Sequence, residues 1–229
     1  MTKETARELI ARLAETRRLS SRARDTRVLK NKLAAEPVVR ELRAAGFDVE
    51  WIADLRHFVA DYTAAIPILV KWLPIVENPA VKSDIVRSLS LTSQKWLAPL
   101  LIKEYRQIPA DTLAQRDLRV AVANALEVLA DDAIFDDIAE MAQDKRMGPS
   151  RSFLVLALSK MATLRAVAIL TSLLDDADVC VAAITSLGKL RAVGTQERIA
   201  TFLGSDVAEA VAAAKTALAR MNKRKVHSR

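Results

Sequence analysis

Cysteine is nearly absent from this 229-residue chain. Cys180 stands alone, so no intrachain disulfide can form and no thiolate metal cluster can assemble. Histidine occurs only at His57 and His227, which excludes a multi-histidine metal site. Five glycines and an aromatic content of 4% are too few for a β-rich fold or a Gly-loop enzyme. No P-loop, GxSxG or GxGxxG pattern occurs, so nucleotide cradling and serine-hydrolase chemistry have no support. Nor does any run approach the ~18 to 20 apolar residues of a membrane span. The opening MTKETARELIARL mixes acids with bases and lacks the apolar centre of a signal peptide. A soluble, cytoplasmic protein without cofactor, metal or membrane contact is the expectation.

What remains is abundant in alanine, leucine and charge. The formal net charge is +7, but it is unevenly placed. Residues 1–43 hold twelve bases and six acids, residues 220–229 hold five bases and no acid, and the 176 residues between them are left at −4. The basicity belongs to the ends. Arg17, Arg18, Arg22, Arg24 and Arg27 form its densest run, a solvated helix face or a set of contacts for phosphate or an acidic partner.

One bland segment, DVCVAAITSLGKL at 178–190, has looser copies in NPAVKSDIVRSLSL from Asn78, RDLRVAVANALEVL from Arg116, GPSRSFLVLALSKM from Gly148 and EAVAAAKTALARM from Glu209. Their pivotal residues are Leu89, Leu126, Leu158, Leu187 and Leu218, spaced by 37, 32, 29 and 31 residues. That is the drifting period of a helical solenoid. A second helical pattern lies between the copies, in phrases such as KWLAPLLIKEYRQI, TLRAVAILTSLL and TQERIATFL. Each unit is therefore a helix pair, with breakers such as Asn78-Pro79, Gly148-Pro149 and Gly204-Ser205-Asp206 at the joints. Asp178 and Asp206 are placed to cap second helices. Small residues, Ala182, Ala183, Ala212 and Ala213 among them, allow close packing on two sides, and stacking buries what a lone pair would leave wet.

The segment before the repeats predicts separate helices capped by Thr2, by Asp25 (carrying Val28, Leu29 and Leu33), by a first-turn Pro37 ending near Gly46, and by Asp48 (carrying Trp51, Ile52, Leu55 and Val59). Trp51, Trp72 and Trp96 all have apolar neighbours and read as core. The expected architecture is all-α: a right-handed α-solenoid of about five helix pairs over residues 63–221, an N-terminal basic helical cap at 1–62 and a disordered basic tail at 222–229.

On the residues of 178–190, with weaker versions at Val81, Asp117 and Asp206, the chain resembles the HEAT-repeat family, most closely the short bacterial HEAT-like repeats also found in phycobilisome-lyase relatives. The resemblance covers about residues 64–221. It implies a non-catalytic protein–protein scaffold, an adaptor or immunity-type protein holding its partner on a concave surface of second helices. A nucleic-acid binder related to the HEAT-like alkylpurine DNA glycosylases is the alternative, with a bilin lyase acting through Cys180 a distant third.

Seven residues before each pivotal leucine stand Lys82, Arg119, Arg151, Cys180 and Val211. Two readings of this row stay open. The bases can form a structural ladder with turn acids such as Asp117 and Asp178, or, supplemented by Arg87 and Arg116, a stripe that grips an acidic peptide or phosphates. Asp131-Asp132, Asp136-Asp137 and Asp175-Asp176 read as helix-start residues that interact with the helix dipole. His57 reads as a partly exposed polar residue, and Cys180 as a buried structural thiol.

Overall fold

A computed structural model describes residues 6–57, 62–90, 94–109, 111–161, 163–192 and 194–222. The fold is all-α, with no strand among the described residues. The chain divides into two compact units, residues 1–85 and 86–229. The expected basic tail at 222–229 lies outside the described residues except for Asn222, as do Thr2, Val59 and His227.

In the first unit, the separate helices predicted before Gly46 are one helix, α1 (Ala6–Ala44, 39 residues), with Pro37 inside it. Local bonding explains the merger. The hydroxyls of Thr16, Ser20 and Thr26 donate to the carbonyls of Arg12, Arg17 and Arg22 within the same helix, so none of them caps a new one. Asp25 sits in mid-helix, and its expected apolar companions Val28, Leu29 and Leu33 are exposed. One turn before Pro37, at Leu33, the helix is open to solvent, where water can replace the missing N–H donor. Among the described side chains of α1, the buried ones lie in its last turns: Ala35, Val38, Val39 and Leu42. Gly46 ends the helix at φ 93°, with the Phe47 amide donating to Leu42 and the Gly46 amide to Arg43.

Beyond this turn Asp54, rather than Asp48, accepts the amides of Glu50 and Trp51 and starts a 3-10 turn, Ile52–His57, in place of the expected helix. A further turn, Thr63–Ala65, leads into α2 (Ile66–Trp72). Ile52, Leu55, Ile66, Leu69 and Leu73 complete the buried interior of this unit. Glu41 of α1 accepts from both Lys71 and the Trp72 indole, at 2.8 and 2.7 Å, and the lysine holds its carboxyl below the usual range. Asn78 begins α3 (Pro79–Leu89): its Oδ1 accepts the amides of Ala80 and Val81, and its Nδ2 donates to Asn31 of α1. Helix α3 carries the chain across the boundary between the units.

The second unit continues with α4 (Ala98–Gln107), α5 (Leu113–Val128), α6 (Phe135–Gln143), α7 (Arg151–Leu158), α8 (Thr163–Ser172), α9 (Cys180–Leu190), α10 (Gln196–Thr201) and α11 (Ala208–Asn222). Each even-numbered helix packs on the odd-numbered one after it, and α5 packs on α7, α7 on α9 and α9 on α11. The reason is in the sequence copies: Leu89, Leu126, Leu158 and Leu187 are all fully buried, and terminal Leu218 is half-buried. Thr112 opens α5 with a full capping box to Gln115, a start that only the T-x-x-Q spacing announces. Asp178 caps nothing. Asp176 accepts the Asp178 amide instead, and Ser205, not Asp206, accepts the Val207 amide.

Between α9 and α11 the approach is closest. A Cβ built on Gly188 would lie 2.7 Å from the Cα and the Cβ of Ala217, so only glycine lets these backbones meet. Gly188→Val should therefore force the two helices apart and lower stability by about 3 kcal/mol, the cost of overpacking. A thermal melt reads the effect directly; an unchanged midpoint would show that the contact is not tight.

Candidate interaction surfaces

The row of bases resolves into side chains of different fates. Lys82 is half-buried in α3, Arg87 is exposed in its last turn, and Arg116 is exposed on α5. Arg119, by contrast, is only 8% exposed and Arg151 is fully buried.

Arg151 stands at the start of α7 and reaches in two directions. Its Nη1 donates to the Ala142 carbonyl near the end of α6 at 3.1 Å, and Nε donates to Gly148. The fork then meets the next turn, with Nη1 2.9 Å from Asp176 and Nη2 3.4 Å from Asp178. A guanidinium suits this place because its planar donors satisfy carbonyl and carboxylate together. The bond to Arg151 holds the Asp176 carboxyl below the usual carboxylate range, against the opposing effect of burial.

Arg119 repeats the pattern thirty-two residues earlier. It donates to the Ile108 carbonyl just past α4, and at 3.5 Å to Met147 in the next turn. Both arginines thus meet the carbonyl end of the helix that precedes them in their own pair, where a cation is favoured by the dipole. The turn acids correspond as well: Asp144 accepts the Arg146 amide as Asp176 accepts that of Asp178, again thirty-two residues apart. Asp144 differs in pairing with the Arg146 side chain, which holds its carboxyl down, so Arg119 has no carboxylate partner. Its Nε is buried without a hydrogen-bond partner. Tyr105 lies beside these residues, bonded to Ser150 at 2.8 Å, and burial pushes its hydroxyl pKa up.

A second set of pairs ties the even-numbered helices. Arg106 of α4 meets Asp137 and Glu140 of α6, Arg165 of α8 meets Asp136 of α6, and Arg198 of α10 meets Asp175. Lys95 meets Asp131, which also accepts the Ala133 amide. Neighbouring helix pairs therefore neutralise one another at the surface, where solvent screening leaves each exposed pair little net stabilisation. The acid clusters are engaged in these contacts. Cys180 is half-buried and its thiol is pushed up by burial, away from thiolate chemistry. His57 is exposed at the end of its 3-10 turn. Of the tryptophans expected in the core, Trp51 and Trp72 are half-buried, but Trp96 is 62% exposed, its indole bonded to nearby Gln94.

The run Arg17, Arg18, Arg22, Arg24 and Arg27 lies wholly on α1, and every one of the five is exposed. None makes an ion pair with another described residue. Arg17, Ser20, Ser21, Ala23, Arg24 and Arg27 line a shallow cavity of about 540 Å³ along the helix.

No group of three or more acids, histidines or cysteines that could hold a metal occurs among the described residues, and no described helix is long and apolar enough to cross a membrane. No known family model and no curated protein matches the chain.

Proposed function

We propose that this protein is a non-catalytic interaction scaffold built from HEAT-like helix pairs, four of them in the second unit. One observation carries the reading: Arg119 and Arg151, at equivalent places in successive pairs, are both buried and both bonded to the preceding helix end and the following turn. Such joints belong to a chain of like modules stacked in one direction. On this reading the buried arginines are the structural ladder, and the partner meets exposed positions of the second helices.

Arg116 and Val120 mark that surface. They lie one turn apart on α5, and both are exposed. The enzymatic alternative needs a tryptophan facing an available acid. Trp72 does face Glu41, but that carboxylate is held by Lys71, and Trp96 turns to Gln94. Binding rather than catalysis is therefore the reading we adopt.

The test begins with immobilised full-length protein and a nuclease-treated extract of its source organism at low and high salt. A protein retained at high salt is then purified and recombined with wild type and with the double variant Arg116→Glu, Val120→Asp. The scaffold reading expects a stoichiometric complex, weakened at least about tenfold by the variant with no change in helicity. Equal affinity of variant and wild type would remove the second-helix surface as the docking site.

A further inference from the structure

We propose that the exposed stretch of α1, residues 15–30, is a DNA-binding arm that lies in the major groove of B-form duplex. The inference goes beyond the scaffold reading and is independent of it, since it concerns the first unit and not the second helices.

Between Arg12 and Lys32 the helix carries eight bases and two acids, Glu15 and Asp25. Seven bases of the second unit, Lys95, Arg106, Arg146, Arg151, Lys160, Arg165 and Arg198, each have a carboxylate within 4.0 Å. Arg17, Arg18, Arg22, Arg24 and Arg27 have none among the described residues. Long solvated cations held without counter-charge form a footprint for a polyanion.

Their arrangement selects the kind of polyanion. At 3.6 residues per turn, Arg17 and Arg24 share one side of α1, Arg18 and Arg22 a second, Arg27 a third, and Lys30 and Lys32 fill the sides between. A protein surface or an acidic peptide laid against the helix would meet only part of this set. A groove meets more of it, because phosphate strands run along both flanks and base edges form the floor. The groove of B-DNA is about 12 Å wide and admits an α-helix, whereas that of A-form RNA is deep and narrow. The stretch contains no aromatic residue, so single strands would find nothing on which to stack.

Size and chemistry agree with this placement. Sixteen helical residues span roughly 24 Å, enough to cross the groove from one phosphate wall to the other. The cavity edged by Arg17, Ser21, Arg24 and Arg27 offers guanidinium groups and the Ser21 hydroxyl, the usual kinds of donor to phosphate and to guanine edges. Farther along, the same helix is anchored by Val38, Val39 and Leu42, so the arm projects from a fixed base.

The experiment uses the full chain and a fluorescent mixed-sequence DNA duplex of about 20 base pairs, long enough for the arm. Anisotropy is followed at several salt concentrations for wild type and for Arg17→Ala/Arg18→Ala/Arg22→Ala/Arg24→Ala/Arg27→Ala. We expect at least a tenfold loss in the variant, and a log K against log salt slope shallower by about 4.5, or about 0.9 for each lost phosphate contact. A circular dichroism melt checks that the variant folds. Independently, dimethyl sulfate footprinting on wild type should show protected guanine N7 atoms, which lie on the major-groove floor. Failure of wild type to bind the duplex, equal binding with an equal slope in the variant, or unprotected N7 would each overturn the proposal. So would equal or tighter binding of single-stranded DNA, double-stranded RNA or polyglutamate at the same salt. A normal second-helix partner complex alongside any of these failures would leave the scaffold reading standing.

Discussion

Arg151→Ala is expected to lower the unfolding free energy by about 3 to 5 kcal/mol, the range for removing one partner of a buried charge pair. Several groups lose their donor together. The Ala142 and Gly148 carbonyls and the Asp176 carboxylate all accept from this one guanidinium, and Asp176 is itself only 11% exposed. Lysine should not restore the loss, because a single ammonium cannot serve carbonyls and carboxylate in different directions. Denaturant melts of wild type, Arg151→Ala and Arg151→Lys measure the effect.

Acid should act on the same joint. The folded Asp176 carboxyl sits below its usual range because Arg151 bonds its charged form. Its contribution is then complete above the unfolded carboxylate pKa of about 4, and is lost as pH falls through the lower folded value. The gap between wild type and Arg151→Ala should narrow over that acid range. A gap that persists unchanged would show that the carbonyl bonds alone carry the joint.

Leu187→Asp should be more damaging still. Leu187 is fully buried in α9, which packs against α7 on one side and α11 on the other. The change removes about 1.5 to 3 kcal/mol of apolar burial and adds a desolvated carboxylate worth several more. Together these rival the roughly 5 to 15 kcal/mol that holds a typical domain folded. The second unit should lose its cooperative melt. Leu218→Asp supplies the internal comparison, since Leu218 is half-buried in terminal α11 and should cost much less. Equal effects at the two positions would contradict the placement of Leu187 at the centre of stacked helices.

The sequence disclosed the interior positions well and the helix boundaries poorly. The pivotal leucines repeat because each must be buried against the next helix, so spacing alone finds Leu126, Leu158 and Leu187. Caps are decided by competition among neighbours. Asp178 was as plausible a cap as Asp176 until the backbone brought Asp176 to both the Asp178 amide and Arg151. Along α1 the hydroxyl residues bond back into their own helix, and nothing local distinguishes Asp25 as cap from Asp25 as mid-helix passenger. Trp96 misled for another reason: its apolar sequence neighbours include Leu97, which is fully buried, while Trp96 itself points outward. At the candidate surfaces, the row of bases was visible, but its division into buried Arg119 and Arg151 and exposed Arg116 was not. Seven-residue offsets identify equivalent places without saying which way a long side chain turns.

The joints of the second unit also differ in mechanics. At α5–α7 and α7–α9 a buried arginine runs from one turn to the next along fixed bond directions, and either sliding or twisting would pull it from its acceptors. At α9–α11 the equivalent place holds Cys180, whose thiol reaches only the Ala177 carbonyl of its own turn, and the helices meet at Gly188 and Ala217. Contact between small groups resists separation but has no preferred direction in the contact plane. The middle joints are thus fixed by buried directional bonds, whereas the last pair is held by close small-group contact and, at the surface, by the Arg198–Asp175 pair.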